Sequence, residues 1–309
     1  MGTALAMLRN LLLYLSTQKQ LRSWMETASL AGRLTKRFVA GQTLDEGLRV
    51  CRALNGEGIL VSLDHLGEGV TSPEQAEGSR DAYLESLRRI RSAGLQSTIS
   101  LKLSQLGLEI SEELCRRNLE PVVRLAQELG TRVEIDMESS PFVDRTLAVA
   151  RDMHARFGCV RAVLQAYLYR TEADARVLCA EGIPVRLCKG AYQEPPDVAY
   201  ARKRDVNANF VRLSALLLEQ GKEPAIATHD PNMIRAAREQ AKRLNLSPEC
   251  FEFQMLYGIR RDLQQKLVSE GYRLRLYVPY GVAWYPYFMR RLAERPANLI
   301  FLLRNLFRQ

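Results

Sequence analysis

The sequence predicts a (βα)8 barrel, and three observations carry that prediction. After about residue 57, eight short apolar or alternating runs recur, each followed by a polar segment with helical periodicity. The 309 residues leave room for one barrel of about 250 residues plus an appendage. Run after run closes on a polar residue, as a barrel with its working groups at the strand C-terminal ends requires. A doubly wound parallel sheet would share the first observation and is the alternative.

Residues 1–50 read as helical, with Leu8, Leu11, Leu12 and Leu15 on one face and Leu44, Leu48 and Cys51 on another. Strands are expected at 58–63, 97–103, 131–136, 160–166, 183–189, 225–229, 250–255 and 274–278. The intervening segments are helical; over 80–91, for example, Tyr83, Leu84, Leu87 and Ile90 form an apolar stripe. The strand ends offer Asp64 and His65, Lys102, Asp136 to Glu138, Gln165, Arg186 and Lys189, Thr228 to Asp230, Gln254 and Tyr277. So many polar residues at strand ends describe a lined pocket.

The fifth run poses the sharpest question. Arg186 and Lys189 are cations in an otherwise buried strand, followed by the small Gly190 and Ala191, where backbone can approach a flat or phosphorylated ligand. Isolated cations do not enter a core, so they meet either an acidic network or an anionic ligand. Near the C-terminus, Tyr287, Arg290 and Glu294 share one helix face, and the adjacent Arg290 and Arg291 point about 100° apart. That suits gripping one carboxylate from two sides; a solvated helix with an Arg290–Glu294 pair is the plain alternative.

The chain is 47% hydrophobic and 26% charged, the composition of a globular protein. Its net charge of +9 favours anionic ligands, acidic partners or an anionic membrane surface. No dense basic block interleaved with aromatics appears, which argues against nucleic acid. Six dispersed cysteines without a CxxC pair suggest free thiols in a cytosol-like compartment. The longest uncharged run, 276–289, is broken by Pro279, Gly281 and Pro286, so no membrane span is expected. Neither GxGxxG, a Walker loop, HExxH nor GxSxG is present, and His65, His154 and His229 do not have metal spacing. His154 reads as a helix-surface residue; for His229 a functional and a structural role stand level.

A set of motifs carries a resemblance: SLKL at 100–103, EIDME at 134–138, QAYLYR at 165–170, RLCKGAY at 186–192, ATHD at 227–230, FEFQMLYG at 251–258 and YFMRR at 287–291. In this order they resemble the proline dehydrogenases, in their small monofunctional bacterial form, from about residue 58 to the C-terminus. The resemblance implies a distorted (βα)8 barrel of TIM type with extra N-terminal helices (1–50) and a C-terminal lid-like helix, the barrel filling 51–309. It implies FAD and oxidation of L-proline to Δ1-pyrroline-5-carboxylate, with hydride passing to the flavin N5 and electrons then to a membrane quinone. Lys102, Arg290 and Arg291 would hold the proline carboxylate, with Asp136 beside them. Arg186 would reach the reactive edge of the flavin. Met137, Gln165, Lys189, Gly190, Ala191, Thr228 and His229 would line the FAD, and Tyr192, Leu256, Tyr277 and Tyr287 would enclose the pyrrolidine ring. A cytoplasmic protein, peripheral at the inner membrane face and adjacent to a pyrroline-5-carboxylate dehydrogenase, fits the same picture.

Two rival readings stand beside it. A Schiff-base lyase using Lys102 or Lys189 accounts for the lysines but not for the arginine pair or Gln165. A basic docking protein accounts for the charge alone.

Overall fold

The computed structural model describes residues 18, 37–67, 69–285 and 287–289. Eight strands close into one parallel barrel in sequence order. They are β1 (Leu60–His65), β2 (Ser97–Leu101), β3 (Val133–Ile135), β4 (Val160–Gln165), β5 (Val185–Cys188), β6 (Ala225–Ala227), β7 (Glu252–Leu256) and β8 (Leu274–Tyr280). β8 closes the ring on β1, with Val61 opposite Leu276. The doubly wound alternative is thereby excluded.

The helices are α1 (Leu44–Gly56), α2 (Pro73–Ser92), α3 (Glu112–Glu128), α4 (Val143–Phe157), α5 (Thr171–Ala180), α6 (Lys203–Gln220), α7 (Pro231–Arg243) and α8 (Arg261–Ser269). Their starts are written in the sequence. Ser72 caps α2 ahead of Pro73, Ser111 caps α3, and Asp230 caps α7 ahead of Pro231. Thr43 and Glu46 form a reciprocal capping box on α1, which runs through the expected boundary at residue 50. The second strand stops at Leu101, before the expected 103, because Leu103–Leu106 turn into a 3-10 helix. α2 is longer than the periodic stretch 80–91, since its capped first turns are polar.

The barrel is filled unusually. On a strand, alternate side chains face opposite ways, and here one set is apolar: Val61 and Leu63, Ile99 and Leu101, Val133 and Ile135, Val185 and Leu187, Phe253 and Met255, Leu274 and Leu276, all buried. The other set is Ser62 and Asp64, Thr98 and Ser100, Glu134 and Asp136, Arg161, Arg186, Glu252 and Gln254, and Arg275 and Tyr277. Contacts among Glu134, Arg161, Glu252 and Arg275, from four different strands, place this polar set in the lumen. The apolar face packs under the helices instead.

The end of β8 and the chain beyond it pack against the segment before α1. Ala40 N donates to Pro279 O at 2.8 Å, Gly281 N donates to Gly41 O at 3.0 Å, and Phe38 meets Phe288 with centroids 6.1 Å apart. Trp284, Tyr285, Tyr287, Phe288 and Met289 are all buried. No helix among the described residues is long and apolar enough to cross a membrane. The six cysteines are free thiols.

Candidate active site

Side chains from β2, β3, β7 and β8 meet around Arg186 of β5. Its Nη2 donates to Ser100 Oγ at 3.1 Å and to Asp136 Oδ1 in a close ion pair. Its Nη1 donates to Gln254 Oε1 at 3.2 Å and pairs with Glu134 Oε2 at 3.2 Å. Burial would depress the guanidinium, but Asp136 and Glu134 outweigh it and raise its pKa above the ordinary value. The acidic network posed as one of two partners for this cation is therefore present. Asp136 also accepts from Ser100 Oγ at 2.8 Å and from the Tyr277 phenol at 3.0 Å. Burial, then the Asp136 carboxylate, push Tyr277 well above its usual pKa, so the phenol keeps its proton and donates.

Beneath this group lies a second layer. Glu134 accepts from Arg161 Nη1 at 3.3 Å and from Gln254 Nε2 at 3.2 Å, and Glu252 pairs closely with Arg161 and with Arg275 Nε at 2.9 Å. Burial alone would raise both glutamates; the guanidinium groups of Arg161 and Arg275, joined at Glu134 by Arg186, hold them below the ordinary carboxylate value. No role was expected of Glu134, Arg161, Glu252 or Arg275. The signal that could have found them is the alternation of charged with apolar residues inside β3, β4, β7 and β8.

The other expected residues fall as follows. Lys102, 9% exposed, directly follows β2, its backbone N–H donating to Gln105 Oε1 at 3.0 Å. Lys189 donates to Asn207 Oδ1 at 2.6 Å and to Asp230 Oδ2 at 3.1 Å, so the cap of α7 is also its counter-ion. Met137 is buried and its carbonyl accepts from Gln165 Nε2 at 3.4 Å. Gln165 is itself buried, and its Oε1 accepts no hydrogen bond from the described residues. Thr228 is buried, its Oγ1 accepting from Asp230 N at 3.1 Å.

His229 Nε2 accepts from Leu256 N at 2.9 Å, which fixes the ring against the end of β7. That is the structural bond considered for it. His154 departs from the surface reading: it is half-buried, with Nδ1 2.7 Å from Val160 O. Gly190, Ala191 and the half-buried Tyr192 lie in the segment after β5. Tyr287 is buried in the last described stretch. Arg290 and Arg291 lie outside the described residues.

The proline dehydrogenase family model matches residues 48–304, most of the chain. The chain belongs to the proline dehydrogenase family. Similar proteins include proline dehydrogenase 1 of Bacillus subtilis, 38% identical over 304 residues that span 98% of this chain and all of the relative. The proline dehydrogenase of Deinococcus radiodurans is 39% identical over 280 residues, 89% of this chain and 90% of the relative. In three dimensions the chain resembles proline utilization A from Bdellovibrio bacteriovorus inactivated by N-propargylglycine, with a TM-score of 0.82 at 26% identity. The match covers 98% of this chain and 38% of that one. As a proline dehydrogenase the chain is an oxidoreductase of proline catabolism, and membership of this family implies a flavin. Among the described residues no cluster of His, Cys, Asp and Glu could hold a metal ion.

Proposed function

We propose that this proline dehydrogenase uses a non-covalent FAD to oxidise L-proline to Δ1-pyrroline-5-carboxylate, and that a membrane quinone reoxidises it. The product would pass to a pyrroline-5-carboxylate dehydrogenase. The observation that carries the reading is the Asp136–Arg186–Tyr277 group at the barrel mouth, flanked by Lys102 and Lys189.

The residues fit the cofactor. Gln165 offers a buried acceptor that the described residues leave unused, suited to a ring N–H. Lys189, with Gly190 and Ala191 beside it, suits a cofactor carrying negative charge, and Thr228 and His229 stand on the next strand end. A bound flavin would supply the acceptor for the hydride that leaves the ring carbon next to nitrogen. Arg186 supplies positive charge where negative charge develops. Lys102 holds the substrate carboxylate, joined in this proposal by Arg290 and Arg291. Asp136 is a positioning and charge-balancing group more than a base, because its carboxylate is already taken up by the ion pair with Arg186 and by the Ser100 and Tyr277 hydroxyls. Tyr192, Leu256, Tyr277 and Tyr287 enclose the apolar ring and exclude water.

The purified protein is expected to be yellow, with flavin absorption bands that bleach when L-proline is added without oxygen and return with a quinone. A colourless protein, or bands that proline leaves untouched, would defeat the assignment. A Schiff-base lyase would instead be trapped by borohydride through a lysine.

Ring selectivity gives a second prediction. Tyr277 is fixed by its bond to Asp136, so it forms a stiff wall. Tyr277→Ser should narrow the preference for L-proline over trans-4-hydroxy-L-proline by about fivefold in kcat/KM, mostly through loss on proline. An unchanged ratio removes Tyr277 from the ring wall.

A further inference from the structure

The segment between β5 and α6, which carries Lys189 to Tyr192, is tied down by the preceding loop: Tyr169 holds its later part through Val198 and Pro196, and Tyr167 holds both its ends. The Tyr167 backbone N–H donates to Lys189 O at 3.0 Å, and its carbonyl accepts from Tyr200 N at 2.8 Å, holding the two ends of the segment. Its phenol reaches the middle, donating to Glu194 Oε1 at 3.2 Å. Its ring lies against Gly190, whose φ of +103° and lack of a side chain both matter: a Cβ there would sit 2.2 Å from the ring. Leu168 and Ala199 add an antiparallel bridge.

Glu194 has a second attachment. Its carboxylate accepts from Ser140 N at 2.8 Å and from Ser140 Oγ at 2.5 Å. Ser140 opens the turn that follows Asp136 and Met137, so one carboxylate ties together the loops after β3, β4 and β5. Two backbone N–H bonds would suffice to close the ends of the segment. The three bonds to Glu194 fix its centre, two residues beyond Tyr192.

We propose that Tyr167, Glu194 and Ser140 form a latch that positions Tyr192 against the substrate ring. The proposal rests on the reading above in which Tyr192 encloses that ring. Tyr167 and Glu194 act through the loop and are positioning residues. A wall that must be ordered at each binding event lowers affinity, and a wall already ordered does not incur that cost. The wall meets the ring equally before and during hydride transfer, so loosening it raises KM and leaves kcat in place.

Tyr167→Phe is a sparing test, because it keeps the ring against Gly190 and both backbone bonds and removes one oxygen. Glu194→Gln keeps length and an acceptor while removing the charge. In the holoenzyme each should raise KM for L-proline about tenfold, with kcat changed by less than about twofold. Flavin content and Tm should match wild type. The Kd of a proline analogue with oxygen in place of the ring nitrogen, which cannot be oxidised, should rise by the same factor. The losses in the double variant should fall short of the product of the two single ones, because both variants act on the shared Tyr167–Glu194 bond. Unchanged KM and Kd, a fall in kcat with lost flavin, or additive losses would each overturn the latch. If wild-type flavin is not bleached by proline, the underlying reading fails. If it is bleached and the variants match wild type, the latch alone fails.

Discussion

Arg186→Met is expected to slow reduction of the flavin by L-proline by about ten- to two-hundredfold, the range for losing a charge-assisted hydrogen bond worth about 1.5–3 kcal/mol. The guanidinium spreads over Ser100, Asp136, Glu134 and Gln254, so its charge is held in one orientation at the mouth. Removal also leaves Glu134 and Asp136 short of a buried partner, which should cost about 3–5 kcal/mol of stability. Two further variants separate these effects. Arg186→Lys should recover only part of the rate, because an ammonium cannot serve both sides of the fork. Adding Asp136→Asn to Arg186→Met should recover stability and not rate, since it neutralises the orphaned charge without restoring the cation. Stopped-flow reduction and thermal melts read the two quantities independently. A rate that recovers together with stability would reduce Arg186 to a structural ion-pair partner.

The barrel was legible because its strands are short, apolar on one face and separated by helices whose caps, such as Ser72-Pro73 and Asp230-Pro231, are local signals. Arg186 stood out for a simple reason, a cation flanked by Val185 and Leu187. What the sequence concealed was its partners. Glu134 lies 52 positions before Arg186 in the chain, and Gln254 lies 68 positions after it. Only closure of the sheet brings β3, β5 and β7 to one axis. The same limit hid Glu194, whose partners Ser140 and Tyr167 are 54 and 27 positions away. A glutamate among Gln193, Pro195 and Pro196 reads as a solvated loop residue until the loops are seen together. Local chemistry is visible in a string of residues; cross-barrel chemistry depends on topology.

Arg161→Met should be the most damaging single change to stability, and its cost should fade in acid. Glu134, Asp136 and Glu252 pair with the guanidinium groups of Arg161, Arg186 and Arg275 along the lumen. Arg161 is 1% exposed and joins Glu134 to Glu252. Without it Glu134 and Glu252 lose the buried cation they share, at a cost of about 3–5 kcal/mol, or roughly 6–20 °C in Tm for a domain near this size. The sign with pH follows from the glutamates. Both have folded pKa values below the ordinary one, so their contribution is fully present above the unfolded value of about 4.3. It is lost as pH falls toward and through the folded value. Wild type should therefore lose stability below about pH 4.3, where protons compete with the arginines. Arg161→Met should lose less over the same interval, because its glutamates are held down less strongly and a protonated carboxyl needs no cation. The gap between the two melting curves should be widest near pH 7 and shrink by at least half near pH 3. Glu252→Gln, added to Arg161→Met, should restore much of the stability at pH 7 by balancing the remaining charges. A gap that stays constant across this range would mean that Arg161 stabilises the barrel by packing its stem, with the ion pairs contributing little.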